Sequence, residues 1–542
     1  MRWRPVAAVF ALAAVVRLVH LLSLAANSPF FRVPVLDERT YFDQAVAIAN
    51  GGGHPDSVFW QPPGYAYFLG AVFTVFGAGM VAPLVLQALI GAASAALTVL
   101  IGRRWFSEPV AIVAGGVVAL YGTLISFDAE LLAPCLGTFL LLVAVWLVPS
   151  DDRKARWWWV GFAGGVASVF IATMLLSVVV LAAFARSRAW LVALGAVAAL
   201  APVTARNFYR GHEWVLISSN GGINLFIGNN PDYEGTVSIR PGHRWRALDI
   251  EPYRAGAKTP GEASQYFVRK VIRFALDQPG RFISVAFHKL KRFIDGNEVP
   301  RDHDLYFTRR WSPLLWPTLW KVPMMAFPWG LLFPLSVVGL GVASRRAKLI
   351  ATLVVALALG VVVFFVTARY RVPLVPFFAL FAVESVRWFV RDAAVGGRII
   401  AASAAAALLA LSNLGQGRMP EQMNADALYA LAIDEADRGS LDDAVALLKE
   451  AVALDPQYAD AWTNLGIYLH RLGQLEAADA AYARAVSIDP MNVAGLMSWA
   501  ALCTRTGRLN QAIKLYEGVL RQRPSLQDAR RNLEILQSSR ER

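Results

Sequence analysis

Residues 36–64 read LDERTYFDQAVAIANGGGHPDSVFWQPPG, and the position of this stretch decides the fold. It follows an apolar run at 5–26 and precedes a short aromatic segment, GYAYFLGAVFTVFG at 64–77. The adjacent acids Asp37 and Glu38 therefore stand at a membrane surface. Acids there are costly unless something pairs with them or uses them. A helical pattern runs from them to about Asn50; Gly51–Gly53 breaks it, and His54 and Gln61-Pro62-Pro63-Gly64 follow.

Outward from this loop the chain is too apolar for a soluble protein. Its 542 residues are 56% hydrophobic, with a mean hydropathy of +0.45. Apolar runs at 5–26, 80–101, 109–126, 131–149, 157–172, 174–186, 189–205, 326–343, 348–367, 372–390 and 399–415 predict an all-α multi-pass membrane protein of about eleven spans. The N-terminal run has the basic start of a signal peptide. Its length, and its interruption by Arg17 and His20, make it an uncleaved span. The segment 64–77 is too short to cross and reads as a helix lying on the outer face.

Basic residues in the short loops set the orientation. Arg2, Arg4, Arg103, Arg104, Arg153, Lys154, Arg156, Arg186, Arg188, Arg345, Arg346, Lys348 and Arg398 all fall on one side, which is cytoplasmic. The outer loop 27–79, the large loop 206–325 and everything after about 416 then lie outside the cytoplasmic membrane. The net charge of +13 suits this topology and anionic lipid, and no nucleic-acid motif accompanies it. Two cysteines far apart, Cys135 and Cys503, give no disulfide framework or thiolate metal site.

The large loop 206–325 has mixed character. Residues 263–276 and 282–293 are basic amphipathic helices suited to an anionic membrane surface or a phosphate-bearing lipid, or simply to solvent. After a linker at 416–423, residues 424–524 repeat with a period of 34: Gly439, Gly473 and Gly507 align, as do Leu441, Leu475 and Leu509, Ala444, Ala478 and Ala512, and Pro456, Pro490 and Pro524. This resembles the tetratricopeptide family. The resemblance implies an α-solenoid of three helix pairs, with 525–542 as a capping helix and a surface for a protein or peptide partner.

Further motifs complete the membrane part, 1–415. Asp128 and Glu130 form a second acidic pair facing the same surface as Asp37, and Arg369-Tyr370-Arg371 and Arg206-Asn207 stand at outer span ends. The run of D-E-x-x-Y (Asp37, Glu38, Tyr41), Q-P-P-G-Y (Gln61–Tyr65) and D-x-E (Asp128, Glu130) is similar to the GT-C membrane glycosyltransferases. It is most similar to the branch holding protein O-mannosyltransferases and the lipid A aminoarabinose transferase. R-N-x-x-x-G (Arg206–Gly211) and R-Y-R-x-P (Arg369–Pro373) add to the likeness.

The resemblance implies transfer of a sugar from a polyprenyl-phosphate donor to a lipid, glycan or protein acceptor outside the cytoplasm. It makes Asp37 the base and Glu130 the second acid. Physical reasoning gives the same roles: a base takes the acceptor's proton, and cations neutralise the departing phosphate. Asp37, Glu38, Glu130 and Asp128 are then the catalytic candidates. Arg369, Tyr370, Arg371, Arg206 and Lys289 are the donor-phosphate ligands, and Tyr41, His54 and Gln61 are substrate-binding.

Bland roles stand beside these. Asp37 could cap the helix from Glu38 onward, Glu38 could be a first-turn acid, and the arginines could snorkel. No residue set has metal-ligand spacing; a divalent cation shared by Asp37 with Asp128 or Glu130 is the one cofactor the pattern could take. Two departures bear on substrate. Gln61 stands near where the aminoarabinose transferases carry a Lys, and the mannosyltransferases' trefoil domain is absent. The alternative reading is a membrane-anchored repeat scaffold with a catalytically degenerate membrane part. A transporter is disfavoured because the acids sit at span ends and not at mid-membrane.

Overall fold

The structure, a computed structural model, describes residues 3–149, 155–237, 239, 243–299, 304–414, 423–523 and 525–540. Arg2, Arg153, Lys154, His303, Pro524 and nearly all of the expected linker lie outside them. The chain divides between Gly417 and Arg418 into two compact units.

In the larger unit every segment expected to span contains a helix, among them Arg4–Asn27, Val81–Trp105, Glu108–Leu120, Pro134–Leu147, Arg156–Phe170 and Ala189–Gly211. Among the described residues six helical stretches are long and apolar enough to cross a membrane, so the chain is a multi-pass membrane protein. The first helix shows the logic of a lipid-facing element. Leu12, Val15, Val19 and Leu22 lie exposed on one stripe, while Ala13, Arg17, His20 and Leu21 are buried on the other. Small residues bring helices into close contact: a Cβ on Gly161 would stand 1.9 Å from the Val192 carbonyl oxygen, and one on Gly195 2.1 Å from that of Trp158.

The aromatic segment forms the helix Gly64–Phe76. It buries Tyr65, Leu69 and Phe73 and leaves Val75 and Phe76 exposed. The large loop is mostly helical among the described residues, with one antiparallel hairpin, Trp320–Val322 against Met325–Phe327. In its helix Pro260–Asp277 the cap residue Thr259 accepts from the Glu262 N–H, and Ala263, Phe267, Val271 and Phe274 face inward. The next helix, Pro279–Ile294, leaves Ile283, Phe287 and Leu290 exposed.

The smaller unit pairs Met423–Asp437 with Leu441–Leu454, Ala459–Arg471 with Leu475–Ile488, and Val493–Arg505 with Leu509–Gln522, and ends in Gln527–Arg540. The turn glycines Gly439, Gly473 and Gly507 have φ of +90°, +78° and +75°, a conformation that other residues resist. Ala444, Ala478 and Ala512 are fully buried at equivalent places, where nothing larger leaves room for the paired helix.

Candidate functional site

Asp37 is the first residue of the helix Asp37–Ala49, not its cap. The cap position is Leu36, held at φ +52°, and no side chain caps the helix. The capping role considered for Asp37 is therefore not the one the structure gives it. Its carboxylate instead meets Arg369, Oδ2 to Nη1 at 2.7 Å, and Gln61 Nε2 stands 3.5 Å from Oδ1. The Gln61 Oε1 is buried without a protein partner. The Arg369 guanidinium lies 5.2 Å from the centroid of the Tyr370 ring, which packs edge-on to Phe365. Asp37, Gln61, Arg369 and Tyr370 thus come together, and both charged groups keep some exposure to solvent.

Glu38 turns the other way. Buried, it accepts from the Leu131 N–H at 2.8 Å and from the Val35 N–H at 3.4 Å. It fastens the start of the helix Asp37–Ala49 to the turn carrying Asp128 and Glu130. Gln87, a polar residue inside the Val81–Trp105 span, completes that fastening. Its Nε2 donates to the carbonyls of Asp128 and Glu130, and its Oε1 accepts from the Tyr65 hydroxyl. Tyr41 packs edge-on against Tyr65 with centroids 5.0 Å apart. Glu130 is half-buried, with Ser126 Oγ 3.5 Å from its Oε1.

Several expected site residues serve the scaffold. Asp128 is buried against Arg17 of the first span at 2.6 Å, and the same arginine donates to the Ala119 carbonyl at 3.0 Å. A Cβ on Gly91 would lie 2.0 Å from Asp128 Oδ2, so the pair needs a glycine there. This pairing stands against the substrate or cation role expected for Asp128. Arg371 is buried in an ion pair with Glu298 at 2.8 Å. It donates to the carbonyls of Asp295 and Asn297, and stacks 4.5 Å over Trp329. It clamps the chain at 293–298 and does not face the Asp37 carboxylate. Thr123 donates to the other Glu298 oxygen at 2.8 Å.

Arg206 likewise holds backbone. It donates to the carbonyls of His54, Asp56 and Ser57 and lies 4.2 Å over the Phe59 ring. The neighbouring Asn207 accepts from the Phe59 N–H and donates to the carbonyls of Val215 and Ile217. The R-N pair thus shapes the segment 54–59. His54 is buried there against Phe59. Burial pushes its imidazole down to about 4, with Asp56 opposing the shift and Arg206 adding to it. Lys289 is buried in a cage of oxygens: Asn229 Oδ1 at 2.6 Å and the carbonyls of Val363 and Phe364 at 3.0 and 3.4 Å. Burial pushes its ammonium down to about 8. The phosphate role expected for Arg206, Arg371 and Lys289 therefore rests on groups already committed to backbone or buried partners.

No group of three His, Cys, Asp or Glu among the described residues could hold a metal ion. Asp37 and Asp128 turn to different arginines. Sequence reasoning passed over Gln87 and Glu298. A glutamine within an apolar span was the available signal for the first.

Comparison with known proteins bears on the two units separately. Residues 434–473 match the family model described as TPR repeat, and 459–492 match Tetratricopeptide repeat. The first TPR of Spaghetti (RPAP3), solved with an HSP90 peptide, is 21% identical. The match covers 23% of this chain and 100% of that one, with a TM-score of 0.23. The larger part of the chain is similar to two membrane enzymes. ArnT from Cupriavidus metallidurans, bound to undecaprenyl phosphate, is 15% identical over 94% of this chain and 79% of that one, with a TM-score of 0.41. The Archaeoglobus fulgidus oligosaccharyltransferase is 13% identical over 82% of this chain, with a TM-score of 0.44, and the match spans only 59% of that enzyme's length. No curated protein matches the chain. The smaller unit, with its matched models and repeated helix pairs, is an array of tetratricopeptide repeats.

Proposed function

We propose that the chain is an integral membrane glycosyltransferase that moves a sugar from a polyprenyl-phosphate carrier to an acceptor hydroxyl outside the cytoplasm. The observation that carries this reading is the meeting of Asp37 with Arg369. It unites the acidic loop and the R-Y-R motif, which lie at opposite ends of the membrane part of the sequence. A carboxylate beside a guanidinium, partly open to solvent, supplies the two groups the reaction needs.

Asp37 takes the proton of the acceptor hydroxyl as its oxygen attacks the anomeric carbon. The bond from that carbon to the phosphate oxygen breaks on the opposite face, so configuration inverts. The phosphate leaves with the bonding electron pair, and Arg369 stabilises the charge that builds there. Gln61 orients Asp37 through Nε2, and its unpartnered Oε1 offers an acceptor to a substrate hydroxyl. The repeats recruit the acceptor protein or a partner enzyme. The membrane part and the repeats are separate domains, joined across 416–423.

The test is transfer from a panel of radiolabelled polyprenyl-phosphate sugars, by the purified chain beside its Asp37→Asn variant and a form lacking 420–542. Product with the parent and none with Asp37→Asn supports the assignment. Full transfer by Asp37→Asn sinks the base. The form lacking the repeats retains some turnover if the membrane part is the enzyme, and none if the chain is a scaffold.

A further inference from the structure

A cavity lies on the Glu38 side of the helix Asp37–Ala49. Asp37 and Glu38 are consecutive on a helix, so their side chains diverge by about 100°. While Asp37 faces Arg369, Glu38 lines a cavity of about 60 Å³ together with His20, Ser126, Glu130, Thr308 and Trp311. By its share of liquid volume that is room for about two waters, or for one edge of a small ring.

The walls have an unusual chemistry for the end of an apolar span. His20 is 2% exposed; its Nδ1 is 2.8 Å from Ser312 Oγ, and its Nε2 is buried with no partner. A buried imidazole nitrogen left unpaired costs stability unless something arrives to pair with it. Trp311 is half-buried, packed edge-on against Phe30 and Phe307 with Arg310 over its ring, so the indole is held in place. Two carboxylates and no Lys or Arg line the space, which disfavours a phosphate. A hydroxyl matches it. A hydroxyl donates to a carboxylate and pairs with Nε2 in either tautomer, while the carbon face of a ring lies on an indole.

We propose that this cavity receives the hydroxyl-bearing edge of a saccharide ring, held by His20 Nε2 and the Glu130 carboxylate against Trp311. The choice of a saccharide rests on the transferase reading above. Glu38 then does two things: it closes the cavity wall, and it fixes the loop that presents Asp37.

The experiment measures binding and not turnover. Saturation-transfer NMR would follow a panel of methyl hexopyranosides and methyl pentopyranosides on the full chain in lipid nanodiscs. His20→Asn keeps an amide at the Nδ1 position for Ser312 but nothing at Nε2; His20→Gln places its amide near Nε2. A glycoside should bind the parent and His20→Gln, and bind His20→Asn and Trp311→Leu about tenfold more weakly, as one lost contact of about 1.4 kcal/mol requires. No glycoside bound by the parent overturns the proposal, as does equal binding by the parent, His20→Asn and Trp311→Leu. If His20→Asn does not fold, Trp311→Leu, which leaves the Ser312 bond intact, decides alone. Binding without transfer leaves the cavity assignment standing and removes the transferase.

Discussion

Asp37 and Arg369 are 332 residues apart in sequence, and their side chains meet at 2.7 Å. Arg371, two residues on, points the other way into an ion pair with Glu298. The four-residue helix Ala368–Arg371 explains the split. Residues two apart on a helix do not share a face, so the R-Y-R motif delivers one arginine to the site and the other to the scaffold.

Replacing Asp37 by Asn should lower transfer by about 10²–10⁴-fold, the range of a lost general base. Stability should change by no more than about 1 kcal/mol, because the pair with Arg369 is partly solvated. Initial rates and thermal unfolding of the same preparation check both. A large stability loss would mean that the pair is structural.

Arg371→Met should behave in the opposite way. It strands Glu298 in the interior and frees the carbonyls of Asp295 and Asn297, a loss of about 3–5 kcal/mol. Arg369→Met should leave folding intact and remove transfer. Detergent-solubilised melting curves of the two variants, read beside their activity, separate the roles.

Asp128→Asn should destabilise by about 3–5 kcal/mol by leaving Arg17 buried without its counter-charge. The double variant Arg17→Met with Asp128→Leu should recover much of that. Gly91→Ala should mimic the single variant, since its methyl would enter the ion pair. An Asp128→Asn protein that melts like the parent yet fails to transfer would return Asp128 to the site.

The loop around His54 should loosen in acid. His54 is held down to about 4 by burial, while an exposed histidine titrates near 6.5. Below about 6.5 the unfolded chain binds the proton and the folded loop does not, so the contribution is whole above that pH and is lost as pH falls toward 4. Hydrogen-exchange protection over 54–60, corrected for the intrinsic pH dependence of amide exchange, should fall through this window in the parent and stay level in His54→Phe.

In the repeat unit, Gly473→Ala should cost about 1–2 kcal/mol, the price of placing a Cβ in a left-handed conformation. The space around Gly473 is open, so the cost is conformational and not steric. Urea unfolding of the repeat unit within the full chain, followed at its own tryptophans, reads it directly.

The helices, including the short one at Gly64–Phe76, and the repeats were legible in the sequence because each is written as a local period. Pairing was not. Asp128 looked like a second catalytic acid because its partner Arg17 lies a hundred residues earlier, recorded only as a blemish in an apolar run. Arg371 and Lys289 looked like phosphate ligands because the backbone carbonyls that hold them leave no mark in a string of residue types. His20 stood in the sequence only as a polar break in the first span, and only three-dimensional neighbours give it a cavity.

The contact between Asp37 and Arg369 has a consequence for discrimination. An arginine already matched by a carboxylate offers little attraction to a passing neutral or weakly charged molecule. A ligand gains from it only by exchange, supplying enough negative charge to take over the guanidinium and leave the carboxylate without its counter-ion. Such a contact sorts ligands by charge density before shape is consulted. It also ties the arrival of one reactant to the basicity of the group that would deprotonate the other.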